Sequence, residues 1–242
     1  MRFITMIKLS LVSFVLFFLE ITASSAAGVG INATRVILAQ GSQSVPVTIR
    51  NSTEKEEYLV QVYVTKTPKS TVQEPYFDVL PPMFYLASNQ QRDIRLVEAP
   101  QATNLPKDRE SVFYLHALAI AGSEKDEGQD ISKMKGDVKI AIESVIKVFY
   151  RPTTLSQTSE QAQAGLTFTP VSNGIKVTNP SAYYITLSSL NIGGRNITLS
   201  PEMNNTMLPP FGELTYKTTV NTGKITWSAI NDLGGYSEYS KP

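Results

Sequence analysis

Apolar residues in this chain recur at every second position, and this alternation restricts the possible folds more than any other feature. It is visible over residues 45–49, 58–64, 94–96 and 138–142. A period of two places successive side chains on opposite faces of a β-strand, whereas an amphipathic helix needs a period near 3.6. After the first thirty residues, no window of 11 residues keeps a helical period. The sequence therefore predicts an all-β protein.

Turn residues separate the strands into two groups, which predicts two domains. Short strands with Gly, Pro or Asn turns about every 8–12 residues are typical of β-sandwiches. The stretch 153–165 consists mainly of Thr, Ser, Gln and Ala with one leucine, and its composition indicates a linker. We expect an N-terminal sandwich over residues 28–152 and a C-terminal sandwich over residues 166–242.

The first 27 residues have the pattern of a secretory signal peptide. Arg2 and Lys8 precede an apolar run of 11 residues, Leu9–Leu19, and small residues follow up to Ala27. The run is shorter than the roughly 18 residues that a membrane-spanning helix needs. We expect cleavage after Ala27 and an exported protein with no insertion into the membrane. An N-terminal membrane anchor is the alternative.

The composition excludes several kinds of functional site. The chain has no cysteine, which excludes disulfides, thiolate metal sites and cysteine nucleophiles, and its only histidine is His116. This histidine lies among apolar residues of a strand, which favours a hydrogen-bonded, partly buried imidazole over a catalytic base. A net charge of +1 argues against a protein that binds nucleic acid. We therefore expect neither an enzyme nor a bound metal or cofactor.

Two cations lie inside apolar strands. Arg35 belongs to the first strand after the signal peptide, and Lys147 interrupts the apolar segment 146–150. An uncompensated charge in such a place is costly, so both cations predict an anionic partner. That partner is either a carboxylate of this chain or a carboxylate of a ligand, and spacing alone favours the first.

Six short blocks of sequence are informative because of their order. They are Thr34-Arg35-Val36, Pro81-Pro82-Met83-Phe84, Leu105 to Phe113, Ile146 to Pro152, Asn179-Pro180 with Tyr183-Tyr184, and Ile230 to Gly235. Together they resemble the periplasmic pilus-assembly chaperones of Gram-negative bacteria, the PapD/FimC-like family, over nearly all of the mature chain. The resemblance implies two immunoglobulin-like β-sandwich domains set at an angle, with a cleft between them that receives a pilus subunit.

The resemblance also implies a donor strand at about residues 137–150. In such chaperones this strand fills the apolar groove of an incomplete subunit, a step called donor-strand complementation. Val138, Ile140 and Ile142 would be the inserted side chains, because alternate residues leave one face of a strand. Arg35 and Lys147 would bind the C-terminal carboxylate of the subunit.

A third implied set joins the two domains: Glu110, Arg151 and Asp232 would form a charge triad that fixes the domain angle. The sequence departs from the family pattern at Ile120-Ala121-Gly122, where Ile-Pro-Pro often stands, and in a long charged loop over residues 123–137. The loop is either a solvated tip or a segment that orders when a partner binds. It lacks the cysteine pair that long-loop members often carry, which leaves the branch of the family undetermined.

The function implied is that of a periplasmic chaperone that binds, folds and caps fimbrial subunits and delivers them to an outer-membrane usher. Self-association of the free protein stays open. One alternative is a two-domain fimbrial subunit or adhesin, although such a subunit should carry a free N-terminal extension before its first strand. A second alternative is an exported enzyme, which the absence of a nucleophile–base pair disfavours.

Overall fold

The computed structural model describes residues 28–122 and 140–242, and almost all of their regular structure is β-strand. The expected signal peptide, the charged loop 123–137 and Val138 lie outside the described residues. The prediction of an all-β protein is confirmed. In the described part of the chain, no helix is long and apolar enough to cross a membrane.

The first domain contains nine strands in two sheets. They are β1 (Val29–Ile31), β2 (Arg35–Ala39), β3 (Val45–Asn51), β4 (Tyr58–Thr65), β5 (Phe77–Leu80), β6 (Met83–Leu86), β7 (Gln91–Glu98), β8 (Ser111–Ala121) and β9 (Ala141–Arg151). A 3₁₀ turn covers Pro100–Asn104 between β7 and β8. One sheet has the order β1–β3–β7–β5 and the other β2–β9–β8–β4–β6.

The two sheets of the first domain enclose one apolar core. Its members alternate along the strands, as the sequence pattern predicts, and Leu38, Ile49, Ile94 and Leu115 are fully buried. Each such aliphatic side chain contributes roughly 1.5–3 kcal/mol by leaving water. Neighbouring strands run antiparallel except β2, which pairs in parallel with the end of β9.

The second domain contains eight shorter strands. They are β10 (Thr167–Val171), β11 (Gly174–Thr178), β12 (Ile185–Ile192), β13 (Arg195–Asn196), β14 (Met207–Leu208), β15 (Glu213–Lys217), β16 (Ile225–Ile230) and β17 (Tyr236–Lys241). One sheet has the order β10–β11–β15 and the other β13–β12–β16–β17, with β14 added to β12. The only tryptophan of the chain, Trp227, is buried in this second core.

The segment expected to be a linker contains a short helix, α1 (Ser159–Ala164). Thr158 and Gln161 close a reciprocal capping box at its start, and the indole Nε1 of Trp227 donates to the Gln163 carbonyl oxygen at 3.1 Å. Polar side chains are used here for capping and hydrogen bonds, so a polar composition does not make this segment a free linker. The helix packs on the second domain.

Two strand boundaries in the second domain differ from the apolar pattern of the sequence. That pattern predicts a strand over residues 183–187, but β12 begins at Ile185, because the Asn179 side-chain amide donates to the Tyr183 carbonyl oxygen at 2.7 Å and holds that residue in a turn. The pattern also predicts a strand over residues 214–220, but β15 ends at Lys217, where the Thr218 hydroxyl bonds to the backbone of Val220. In both places a short polar side chain competes with the sheet for the backbone.

Candidate functional site

Only the second half of β9 is covered on both edges. In the parallel pairing, β2 lies beside residues 147–151, with Arg35 opposite Lys147 and Ala39 opposite Arg151. Residues 141–146 pair with β8 on one edge and with no other described strand. This stretch therefore presents unpaired backbone groups, which can pair with an additional strand.

The uncovered half of β9 also exposes apolar side chains. Ile140 is 66% exposed and Ile142 is 36% exposed, whereas Val148 and Tyr150, which follow on the same alternation, are buried in the first core. Of the three side chains that the resemblance assigns to a donor face, these two are described. An exposed edge with exposed aliphatic residues is a surface that gains free energy when another chain covers it.

Arg35 and Lys147 lie side by side at the point where the uncovered edge ends. Arg35 Nη1 donates to the Ile230 carbonyl oxygen at 3.0 Å, and its Nε is buried without a hydrogen-bond partner. The guanidinium lies 5.5 Å from the centre of the Phe149 ring. Within the described ranges no carboxylate forms an ion pair with either cation. The internal partner that spacing favoured is therefore not found there.

Burial acts on both cations in the same direction. It lowers the pKa of Lys147, and the positive charge of Arg35 lowers it further. Burial also lowers the pKa of Arg35, partly offset by the charges of Asp232 and Glu110. Two adjacent, partly desolvated cations form a site that an anion would stabilise, and a carboxylate can accept charge-assisted hydrogen bonds from both.

The three charged residues assigned to the domain junction are in direct contact. Arg151 Nε donates to Glu110 Oε1 at 2.7 Å, and its two terminal nitrogens donate to the Asp232 carboxylate at 2.7 and 2.9 Å. The second Glu110 oxygen accepts from the backbone N–H of Tyr184 at 2.8 Å. Since the Arg151 side chain is 19% exposed and that of Glu110 2%, the triad is more than a surface ion pair.

The environment moves the two carboxyl groups of the triad in opposite directions. Burial raises the pKa of Glu110 despite the nearby charge of Arg151. Burial also acts to raise the pKa of Asp232, but hydrogen bonds and charge from Arg151 outweigh it, and this pKa lies below its ordinary value. For Arg151 itself, the bonds to both carboxylates outweigh burial and raise the pKa.

Both sets of charges meet at one loop of the second domain, the turn between β16 and β17. Its Ile230 carbonyl accepts from Arg35, and its Asp232 binds Arg151. Gly234 has a φ of +87°, and a side chain there would come within 2.5 Å of the Thr34 hydroxyl. Position 234 therefore needs glycine both for its backbone conformation and for lack of space beside Thr34. The turn places the paired cations and the triad in one interdomain site.

Sequence reasoning missed an exposed apolar surface on the same sheet, which we call the outer apolar surface. Leu59, Met83, Tyr85 and Ile120 are all exposed, and strand register places Tyr85, Leu59 and Ile120 in one row across β6, β4 and β8. The sequence does contain a signal for this surface. Its residues alternate with the buried residues of the same strands and therefore lie on the opposite face of the sheet. This surface spans β6, β4 and β8, and its Ile120 pairs with Ala141 at the start of β9.

Other described regions are weaker candidates for a functional site. Among the described residues, no group of three acidic or histidine side chains could hold a metal ion. A surface groove of the second domain is lined by Arg195, Asn205 and Lys217 among other residues, and it shares no lining residue with the interdomain site. The interdomain site and the uncovered edge of β9 are therefore the strongest candidates.

Comparison with known proteins gives the same two domains. Residues 28–156 match the model of the pili and flagellar-assembly chaperone, PapD N-terminal domain, and residues 161–241 match the pili assembly chaperone PapD, C-terminal domain. The chaperone protein FocC of Escherichia coli is 33% identical over 238 residues, which cover 96% of each chain.

Two solved structures extend the comparison to the fold. The periplasmic chaperone SfaE has a TM-score of 0.71 and 30% identity, covering 88% of this chain and 97% of its own. The Salmonella enterica SafA pilin in complex with the SafB chaperone gives a TM-score of 0.72 and 29% identity, covering 90% of this chain and 98% of that chain. The matched domains are those of chaperones rather than of enzymes.

Proposed function

Because the chain belongs to the PapD family of pilus-assembly chaperones, we propose that it binds, folds and caps pilus subunits by donor-strand complementation and delivers them to an outer-membrane usher. The observation that carries the proposal is the uncovered edge of β9, which ends at two cations that have no carboxylate partner in the described part of the chain. Edge and cations together match an extended chain with a free C-terminus.

The edge supplies both parts of strand addition. Backbone groups of residues 141–146 hydrogen-bond to the subunit, while Ile140, Ile142 and, outside the described residues, Val138 fill its groove. Burying each aliphatic side chain contributes roughly 1.5–3 kcal/mol before the cost of ordering the partner. The subunit thereby gains the strand that it lacks.

The two cations fix where the subunit strand ends. Arg35 and Lys147 bind the terminal carboxylate, and each charge-assisted hydrogen bond is worth about 1.5–3 kcal/mol. A slip of one residue would reverse the faces of all side chains in the added strand, so an anchored end sets the pairing register. Release needs no nucleotide, because the folding energy of the assembled subunit drives the exchange.

Delivery to the usher requires a second surface that stays accessible when the edge is occupied. We assign this role to the outer apolar surface, because three of its four residues lie on β4 and β6 rather than beside the uncovered edge of β9. We assign the protein to the periplasm, where the SfaE chaperone also belongs by its description. The signal peptide expected over residues 1–27 agrees with that assignment.

Loss of the paired cations tests the proposal most directly. Arg35→Ala and Lys147→Ala should each reduce the recovery of a co-expressed pilus subunit at least tenfold, because the carboxylate loses a charged donor. The measurement is affinity purification from the periplasm, with Lys69→Ala as the control at an exposed lysine. Undiminished recovery in both variants, or wild-type protein found in fibres instead of 1:1 complexes, would contradict the proposal.

The donor face has its own test. Ile140→Asp should block complex formation while leaving the melting temperature of the free protein nearly unchanged, because Ile140 is 66% exposed before binding. Val72→Asp, at a residue that is 72% exposed, is the matched control and should bind normally. Normal capture of subunits by Ile140→Asp would refute the assignment of the donor face.

A further inference from the structure

The histidine that sequence analysis left without a function contacts the uncovered half of β9, residues 141–146, which we call the donor half. His116 lies on β8, is 1% exposed, and places its Nδ1 3.0 Å from Glu143 Oε1 on β9. The Tyr63 hydroxyl on β4 donates to the same oxygen at 2.9 Å, and the Tyr63 ring stacks on the imidazole with 4.8 Å between centres. One carboxylate therefore joins three neighbouring strands.

The imidazole is held on both sides. Its Nε2 lies 2.8 Å from the Thr65 hydroxyl oxygen on β4, so in the tautomer that donates from Nδ1 to Glu143 the Thr65 hydroxyl donates to Nε2. Two hydrogen bonds and a stacked ring leave the imidazole a single orientation. Glu143 therefore meets a fixed donor rather than a mobile one, which limits the conformational entropy lost in forming the contact.

The donor half of β9 needs such a contact because the inward side chains at its start do not pack in the core. In an ordinary sandwich, inward side chains hold a strand in register by packing in the core. Here Ile140 and Ile142 are exposed, and the proposed function reserves them for the subunit. Residues 141–146 also have no described neighbour on one edge. Apart from Ile146, which packs against the first core at the end of this segment, only the opposite face and the pairing with β8 remain to hold it.

Glu143 lies on that opposite face, and its contacts depend on register. It is placed opposite Leu118 of β8, two pairs along from the pair formed by Val145 and His116 and on the same face of the sheet. A slip of one residue would turn the Glu143 side chain to the other face of the sheet and break both hydrogen bonds at once. The contact is therefore possible in only one alignment of β9 with β8.

We propose that Glu143, held by His116 and Tyr63, locks the uncovered half of β9 in the register that the buried Val148 and Tyr150 set further along the strand, so that Ile140 and Ile142 stand at the correct distance from the paired cations. The inference rests on the proposed function, because it concerns the presentation of this strand to a pilus subunit. The three residues are positioning residues, since they act through β9 rather than on the subunit.

Hydrogen exchange of the free protein tests the lock without any subunit. Glu143→Leu keeps the side-chain size but removes both hydrogen bonds, and it should speed exchange of the amides in residues 140–146 that face β8 by about tenfold or more. Glu143→Gln keeps an accepting oxygen and should exchange close to the wild-type rate. Equal exchange in Glu143→Leu and wild type would overturn the proposal, whether or not the protein binds subunits.

A matched pair of substitutions at His116 separates the lock from simple packing. Asparagine places its amide nitrogen near the position of Nδ1 and can still donate to Glu143, whereas glutamine reaches the position of Nε2 and contacts Thr65 instead. We expect His116→Asn to retain slow exchange and His116→Gln to lose it. A loss of the same size in both variants would indicate packing alone and would overturn the proposal.

Capture of a co-expressed pilus subunit connects the lock to function. Relative to wild type, Glu143→Leu should recover at least tenfold less subunit, and Glu143→Gln should restore recovery. Equal recovery by Glu143→Leu and wild type would show that the register is set without this contact. If wild type captures no subunit, the proposed function fails, while the exchange experiment still decides whether the lock exists.

Discussion

Lys147 illustrates at the scale of one residue how a charge placed for the proposed binding of a carboxylate can oppose stability. Its pKa is lowered by burial and by the adjacent charge of Arg35, and no carboxylate in the described ranges offsets either effect. A buried charge without a partner raises the free energy of the folded state. The residue is therefore more easily explained by what it binds than by what it contributes to the free protein.

Replacement of this lysine should separate binding from stability. Lys147→Met keeps the length of the side chain and removes the charge, so the free protein should melt at the same temperature or a few degrees higher. Subunit recovery should nevertheless fall at least tenfold. Thermal unfolding with and without subunit measures both quantities, and a marked drop in melting temperature would show that Lys147 has a structural anion partner.

At the scale of elements, helix α1 ties the domain junction to the second core. The Gln163 side chain accepts from the Tyr239 hydroxyl at 3.1 Å and donates to the Ile230 carbonyl oxygen at 3.2 Å, while its backbone oxygen accepts from Trp227. Ile230 is also the residue that accepts from Arg35. The helix therefore supports the turn that builds the interdomain site.

Truncation of Gln163 should weaken the second domain selectively. Gln163→Ala leaves the Tyr239 hydroxyl and the Ile230 carbonyl without these partners, at a cost of about 1–3 kcal/mol. Trp227 is the only tryptophan, so its fluorescence reports unfolding of this domain alone. Gln157→Ala, at an exposed side chain, is the control. An unchanged fluorescence transition in Gln163→Ala would contradict the supporting role.

The elements that could be predicted are those with a repeating pattern. Alternation located strands such as β3 and β4, because burial on one face imposes a period of two. A helix of six residues such as α1 is too short to display a period of 3.6, so its polar sequence indicated a linker. The contact between His116 and Glu143 joins residues 27 positions apart across two strands, and pattern alone does not identify such pairs.

At the scale of the whole molecule, we expect the triad to make the domain arrangement depend on pH. The pKa of Asp232 is lowered in the folded protein, so its stabilising contribution is present above its ordinary value near 4 and is lost as pH falls below it. The pKa of Glu110 is raised, so its proton is taken up first and that uptake favours the folded state. We therefore expect the domain junction to weaken in acid when Asp232, rather than Glu110, takes up a proton.

Small-angle scattering can measure this dependence. Wild-type dimensions should stay constant down to about pH 4 and increase below it, whereas Asp232→Asn should already show altered dimensions at pH 7 because Arg151 loses its bidentate charged partner. Asp78→Asn, on an exposed strand residue, serves as the control. Identical scattering profiles for Asp232→Asn and wild type at every pH would show that other contacts set the domain arrangement.

The parallel pairing of β2 with β9 also determines where a strand added to the edge of β9 has to end. Because β2 occupies the edge from Lys147 to Arg151, a chain pairing with β9 meets the start of β2 and can go no further. Within the described residues, the free edge from Ala141 to Ile146 is six residues long, or about 20 Å at the usual rise of a strand. In the proposed complex, the residues of the added strand are therefore aligned by counting inward from the last residue of the partner.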